Sequence, residues 1–271
     1  MTAKEKLDKR TSRGLHICVG LDTDINKIPK HLLSSDDPVY QFNKGIIEAT
    51  SGAAAAYKIN FAFYESEGEK GMEALKRTIG LIPEDVLTIG DAKRGDIGNT
   101  SEMYAKSVFD HFGFDAITLS PYMGVDSLKP FLDYKEKLSF VLALTSNPGA
   151  CDFEKLALQG GDYLFQRVIS VFAQSDKTGN CGFVFGATKL DELKDNVKIF
   201  NGAPVLLPGV GAQGGSLEEV VKVFESAGHN SYIINVSRAL IYADSTGQFA
   251  PVVKKTLENY NKIITEIKES V

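Results

Sequence analysis

An α/β fold, the eight-stranded (β/α)8 barrel, is what the sequence predicts, and three observations point to it. Eight short β-rich runs alternate with helical patterns along the chain. Most of these runs are continuously apolar, as parallel strands covered by helices are. The length, 271 residues, matches the roughly 250 that eight βα units need, and a hydrophobic content of 43% supplies a sizeable core.

In chain order the runs are Leu15 to Leu21, Ala54 to Asn60, Val86 to Lys93, Ala116 to Ser120, Ser139 to Ser146, Cys181 to Thr188, Pro204 to Val210 and Ser231 to Ser237. Helical spacing is expected over Val39 to Ser51, Glu69 to Ile82, Thr100 to Phe112, Val125 to Tyr134, Asp162 to Gln174, Leu217 to Ala227 and Val252 to Glu269. The last of these places Val253, Leu257, Tyr260, Ile263, Ile264 and Ile267 on one face, as an outer-layer helix does. A doubly wound open sheet would need nucleotide-binding glycines after its first strand; the sequence there is GLDTD, not GxGxxG. No long repeat, low-complexity tract or Pro/Ser-rich linker interrupts the pattern. Residues 1–271 are therefore expected to form a single barrel domain, with its active site at the C-terminal ends of the strands.

A net charge of -5 and a pI near 5.5 argue against a general nucleic-acid or membrane-surface binder, so any positive site is local. Cys18, Cys151 and Cys181 show no CxxC or Cys/His spacing, which suits free thiols in a reducing compartment. No apolar run reaches the 18 or so residues of a membrane span, and the N-terminal MTAKEKLDKRTSR has no following apolar region. The expected location is cytoplasmic.

The polar residues that close the strands are the informative ones. They are Asp22 after the first, Lys58 and Asn60 on the second, Asp91 and Lys93 followed by Asp96 on the third, and Thr145 and Ser146 on the fifth. The seventh runs into PGVGAQGG, Pro208 to Gly215, and the eighth into Asn235, Ser237 and Arg238. Singly, Asp22, or Ser146 with Asn147, reads first as a turn former. The Gly-rich loop with Arg238 and Gln213 fits a phosphate cradle of backbone amides, a bidentate guanidinium and an amide donor; a tight turn with a solvated arginine is the alternative. Side chains two apart in a strand share a face, so Asp91 and Lys93 point the same way. Interleaved with Lys58 and Asp96, they form a self-neutralising quartet suited to chemistry on an anion. A fixed carboxylate repels a substrate carboxylate, and a neighbouring lysine stabilises a developing carbanion and then protonates it. No Walker, dinucleotide or HExxH motif accompanies the quartet.

The stretch DAKRGDIGNT, Asp91 to Thr100, resembles the DxKxxD signature of the orotidine 5'-phosphate decarboxylases. Together with KIN on the second strand and LTSNPGA on the fifth, it is similar to the second, divergent group of that family. The likeness runs from GLDTD to NVSRALIYA. It implies a decarboxylation of orotidine 5'-monophosphate to uridine 5'-monophosphate that uses no cofactor and no metal, in de novo pyrimidine synthesis. It further implies that Lys93 protonates the ring carbon, that Asp91 sits against the departing carboxylate, and that Lys58, Asp22 and Asn60 face the ribose. Thr145 and Ser146 would meet the pyrimidine edge, Pro208 the ring surroundings, and Gln213 with Arg238 the phosphate. Asp96, Ile97 and Thr100 would reach the site of the other subunit of a homodimer. Gly98 and Ser237 depart from the family's commoner Pro and Gly. Two other readings remain: a metal-dependent phosphosugar lyase with the same DxKxxD, such as a hexulose phosphate synthase or keto-gulonate phosphate decarboxylase, and a barrel that binds a phosphorylated ligand without turning it over. Lys58 at the second strand's end disfavours the metal.

Overall fold

The computed structural model describes residues 1–211 and 214–270. The strands follow one another around a closed barrel. The elements alternate as α1 (Ala3–Thr11), β1 (Ile17–Gly20), α2 (Pro38–Thr50), β2 (Ala56–Asn60), α3 (Phe61–Glu65), α4 (Gly68–Ile79), β3 (Leu87–Arg94), α5 (Gly98–Lys106), β4 (Ala116–Leu119), α6 (Val125–Leu132), β5 (Leu138–Leu144), α7 (Leu164–Ser175), β6 (Cys181–Phe185), α8 (Leu190–Asn196), β7 (Val205–Pro208), α9 (Leu217–Ser226), β8 (Tyr232–Val236), α10 (Arg238–Ile241) and α11 (Phe249–Ser270). Each strand pairs in parallel with its sequence neighbours, and β8 closes on β1 through Ile17↔Ile234 to Val19↔Val236. All eight expected strands are present, most of them trimmed by a residue or more at their ends.

The strands read as continuously apolar because both of their faces are buried. Cys18, Ala56, Leu87, Ile89, Ala116, Leu138, Phe140, Val184, Leu206 and Ile233 fill the barrel interior. The alternate residues, such as Val19, Tyr57, Ile117, Val141, Phe183, Leu207 and Ile234, pack under the helices. Along several strands the interior residue nearest the C-terminal end is polar: Lys58 follows Ala56, Asp91 follows Ile89, Thr118 follows Ala116, and Asn235 follows Ile233. A dry floor therefore gives way to a charged mouth.

Four helices lie outside the helical patterns read from the sequence. α1 closes the opposite end of the barrel, with Ala3 and Leu7 buried against the interior cluster. Its start is a capping box: Thr2 Oγ1 accepts from the Glu5 amide and the Glu5 carboxylate accepts from the Thr2 amide. α3, α8 and α10 have only five, seven and four residues, too few for a 3.6-residue period to register. The helix expected over Thr100 to Phe112 starts at Gly98 and ends in a π-helical turn, Ser107–His111. Among the described residues no helix is long and apolar enough to cross a membrane.

Candidate active site

Asp91 is the centre of the mouth. Its Oδ2 accepts from Lys58 Nζ at 2.7 Å, and its Oδ1 accepts from Lys93 Nζ at 2.6 Å and from Thr118 Oγ1 at 2.9 Å. Lys58 Nζ also lies 3.4 Å from Asp22 Oδ1, so the cluster is Asp22, Lys58, Asp91 and Lys93. Burial alone would raise the Asp91 carboxyl, but the two lysine ammonium groups reverse that and hold it below the ordinary carboxylate range. Burial likewise works against a charged Lys58, yet Asp91 and then Asp22 more than offset it, and its pKa lies above the usual lysine value. Both groups are therefore ionised across the neutral range. The Lys93 side chain is 51% exposed while that of Asp91 is 10% exposed, so the ammonium stands at the cleft and the carboxylate beneath it.

The juxtaposition of Asp91 and Lys93 arises differently from what simple strand parity predicts. The β3–β4 register shifts between Gly90↔Ile117 and Arg94↔Leu119, and Lys93 sits at φ +48. That left-handed conformation is uncommon for a side-chain-bearing residue. Here Thr118 holds it, accepting from the Lys93 amide at 3.1 Å while donating to Asp91. The bulge also sends Arg94 outward, where it pairs with Glu65 and lies over the Tyr104 ring. Thr118 is a site residue that inspection of the strand ends missed; its signal was a lone polar residue of interior parity in an apolar strand.

The β1 loop that carries Asp22 is fixed by a buried polar network. Thr23 donates to Asn43 Oδ1, and Asn43 donates to Tyr64 and Thr78, at 2.6 to 3.0 Å. Tyr64 donates to the Leu21 carbonyl, while Tyr242 accepts from the Asp24 amide and donates to the Asp22 carbonyl. None of these partners is signalled by the sequence, because they meet only on closing the barrel.

A cleft of about 280 Å³ opens over the cluster. It brings together Asp22, Lys58, Asn60, Asp91, Lys93, Thr118, Thr145, Ser146, Pro208, Asn235 and Arg238. Asn60 also caps α3 through its side chain, and Arg238 opens α10 with its side chain exposed. Asn235, 7% exposed, presents an amide oxygen that has no hydrogen-bond partner among the described residues. Asp96, Ile97 and Thr100 are not among the lining residues of this chain's own cleft: Asp96 accepts from the Ile97 amide at 2.8 Å, and Ile97 is 60% exposed. Gln213 lies outside the described residues. Among the described residues no group of three or more His, Cys, Asp or Glu side chains could hold a metal ion.

A sequence model described as "Orotidine 5'-phosphate decarboxylase / HUMPS family" matches residues 16–250. The orotidine 5'-phosphate decarboxylase of Porphyromonas gingivalis is 51% identical over 253 residues, covering 92% of this chain and 91% of the relative. Among solved structures, the OMP decarboxylase of Leishmania donovani superposes with a TM-score of 0.81 at 35% identity, covering 98% of this chain and 99% of that one. The UMP synthase of the same organism superposes with a TM-score of 0.84 at 37% identity; the match covers 97% of this chain, which spans 57% of that longer one.

Proposed function

The chain belongs to the orotidine 5'-phosphate decarboxylase / HUMPS family, and from that premise we propose that Lys93 and Asp91 carry out the chemistry. The activity is that of a carboxy-lyase, converting orotidine 5'-monophosphate to uridine 5'-monophosphate in pyrimidine synthesis. One observation carries the assignment of roles: a half-exposed ammonium 2.6 Å from a buried carboxylate that three donors hold in place.

In this reading the substrate carboxylate lies against Asp91. Like charges repel there, and the repulsion ends when the carbon–carbon bond breaks and neutral carbon dioxide leaves. The electron pair stays on the ring carbon. Lys93 stabilises it as it develops and transfers an ammonium proton to that carbon, then regains a proton from water. Lys58 fixes Asp91 and, with Asp22 and Asn60, faces the ribose hydroxyls. Thr145 and Ser146 take the pyrimidine edge, Pro208 the ring surroundings, and Arg238 with Gln213 the phosphate. No cofactor enters the scheme.

Asp96, Ile97 and Thr100 serve the neighbouring site of a homodimer. That is supported by their absence from the lining of their own cleft and by the exposed apolar side chains of the same segment, Ile97, Met103 and Tyr104. We read residues 1–271 as one domain acting in the cytoplasm. The metal-dependent alternative is disfavoured because the Lys58 ammonium occupies the space between Asp22 and Asp91 that a divalent cation would need.

The test is turnover of orotidine 5'-monophosphate in excess EDTA, followed by loss of the orotate chromophore, with Lys93→Ala beside it. Turnover is expected to survive the chelator and to fall by about 10⁴-fold or more in the variant, with uridine 5'-monophosphate binding largely retained. A requirement for added magnesium would transfer the chain to the metal-dependent reading. Substantial activity in Lys93→Ala would remove Lys93 as proton donor.

A further inference from the structure

The turn at the end of β5 is held by a residue that no strand end supplies. Glu154 lies in the segment between β5 and α7 and reaches back to Thr145. Its Oε2 accepts from the Thr145 amide at 2.7 Å, and its two oxygens lie 2.9 and 3.0 Å from the Thr145 hydroxyl. That hydroxyl is also 2.6 Å from Asn147 Oδ1, so its one proton is committed inside the turn. Glu154 is itself anchored, since its carbonyl accepts from the amide of Phe165, a buried residue of the first turn of α7.

From the other side the segment that follows β6 presses on the same turn. The Gly186 amide donates to the Leu144 carbonyl at 2.7 Å, and Thr188 Oγ1 lies 3.3 Å from the Ser146 carbonyl. A Cβ on Gly186 would stand 2.8 Å from the Ser146 nitrogen, so only glycine permits this approach. The turn is thus clamped between a backbone wall and one carboxylate. Charge-assisted bonds of this kind are about twice as strong as neutral ones.

We propose that Glu154 is a positioning residue that sets the Thr145–Asn147 turn and thereby the affinity for the pyrimidine portion of the ligand, without touching substrate itself. The proposal rests on the reading that the end of β5 meets the pyrimidine. Thr145 then serves the base edge as a strut: its amide donates to Glu154, its hydroxyl lies between Glu154 and Asn147, and the placement of Ser146 beside it follows from that anchoring. The two Thr145 donors need acceptors but no net charge. A glutamine at 154 can accept from the amide through Oε1 and donate to the hydroxyl through Nε2, with the hydroxyl proton then going to Asn147.

The test compares dissociation constants of uridine 5'-monophosphate and ribose 5-phosphate, by calorimetry, for the native chain, Glu154→Ala, Glu154→Gln and Ser146→Ala. Glu154→Ala is expected to weaken the nucleotide about tenfold or more and the sugar phosphate less than about twofold, with Glu154→Gln restoring most of the loss. If the alanine variant does not fold, Glu154→Asp, one methylene short of Thr145, is expected to show the same selective loss. Equal weakening of both ligands, or of neither, overturns the proposal. Ser146→Ala separates the two layers of the reading. A selective loss there without one at Glu154 sinks this proposal alone, while no selective loss at Ser146 withdraws the base-edge assignment and the proposal with it.

Discussion

Two residues at opposite ends of the barrel show how neighbours decide what an ionisable group does. Asp91 stays charged while buried because Lys58, Lys93 and Thr118 between them bond both of its oxygens, two of them as cations. His16 takes the other course. Its ring stacks on Tyr232 with centroids 4.1 Å apart, its Nδ1 donates to the Tyr232 carbonyl at 2.9 Å, and its Nε2 faces the Lys268 ammonium at 3.3 Å. Burial, and then Lys268, outweigh that carbonyl and the Glu225 carboxylate, which bonds Tyr232 and Lys268, so the His16 pKa falls to about 4. The unfolded chain binds this proton near pH 6.5, the ordinary histidine value, and the folded one only near pH 4. Between those values the unfolded state holds more protons, so stability declines as pH drops, by about 3 kcal/mol in all. Urea unfolding midpoints across this window are expected to show the decline, and His16→Phe is expected to flatten it while lowering stability at neutral pH. An undiminished slope in the variant would assign the decline to other groups.

At the scale of elements, the seam between β1 and β8 sets the shape of the mouth. β1 ends on Gly20, and a Cβ there would stand 2.7 Å from Ser237 Cβ and 3.0 Å from Asn235 Oδ1. Glycine lets the end of β8, with Arg238 just beyond it, lean over the barrel. Gly20→Ala is expected to cost about 1–3 kcal/mol through overpacking and to weaken uridine 5'-monophosphate binding as Arg238 shifts. Urea melts and calorimetry check both effects; unchanged affinity in a destabilised variant would separate the seam from the phosphate end. The β3 bulge works by the same logic, since one local departure from strand geometry turns Lys93 inward and Arg94 outward.

For the whole molecule, the question is whether one chain holds a complete site. Asp22, Lys58, Asp91, Lys93 and Arg238 come together within a single barrel, whereas Asp96 and Thr100 are not among the residues lining that cleft and lie in a segment that exposes Ile97, Met103 and Tyr104. Mixing inactive Lys93→Ala with inactive Asp96→Asn chains is expected to restore roughly a quarter of native activity under random pairing, because half the dimers are mixed and each carries one intact site. No recovery despite demonstrated subunit exchange would place Asp96 in its own chain's site.

What the sequence alone determined follows from local physics. Apolar runs at βα spacing specify eight strands, since strands covered on both faces must be apolar throughout. The barrel places their polar ends at one rim, so Asp22, Lys58, Asp91, Lys93, Thr145, Ser146 and Arg238 are legible as neighbours from the sequence, and they line one cleft. Tertiary structure decided the rest. Thr118 joins Asp91 only across the β3–β4 ladder. Asn43 supports the Asp22 loop from a helix 20 residues away in sequence from Thr23, and Glu154 reaches Thr145 from a loop with no periodic pattern. Periodicity reports which face a residue occupies, while a hydrogen bond depends on where two faces meet, and that meeting exists only once the barrel has closed.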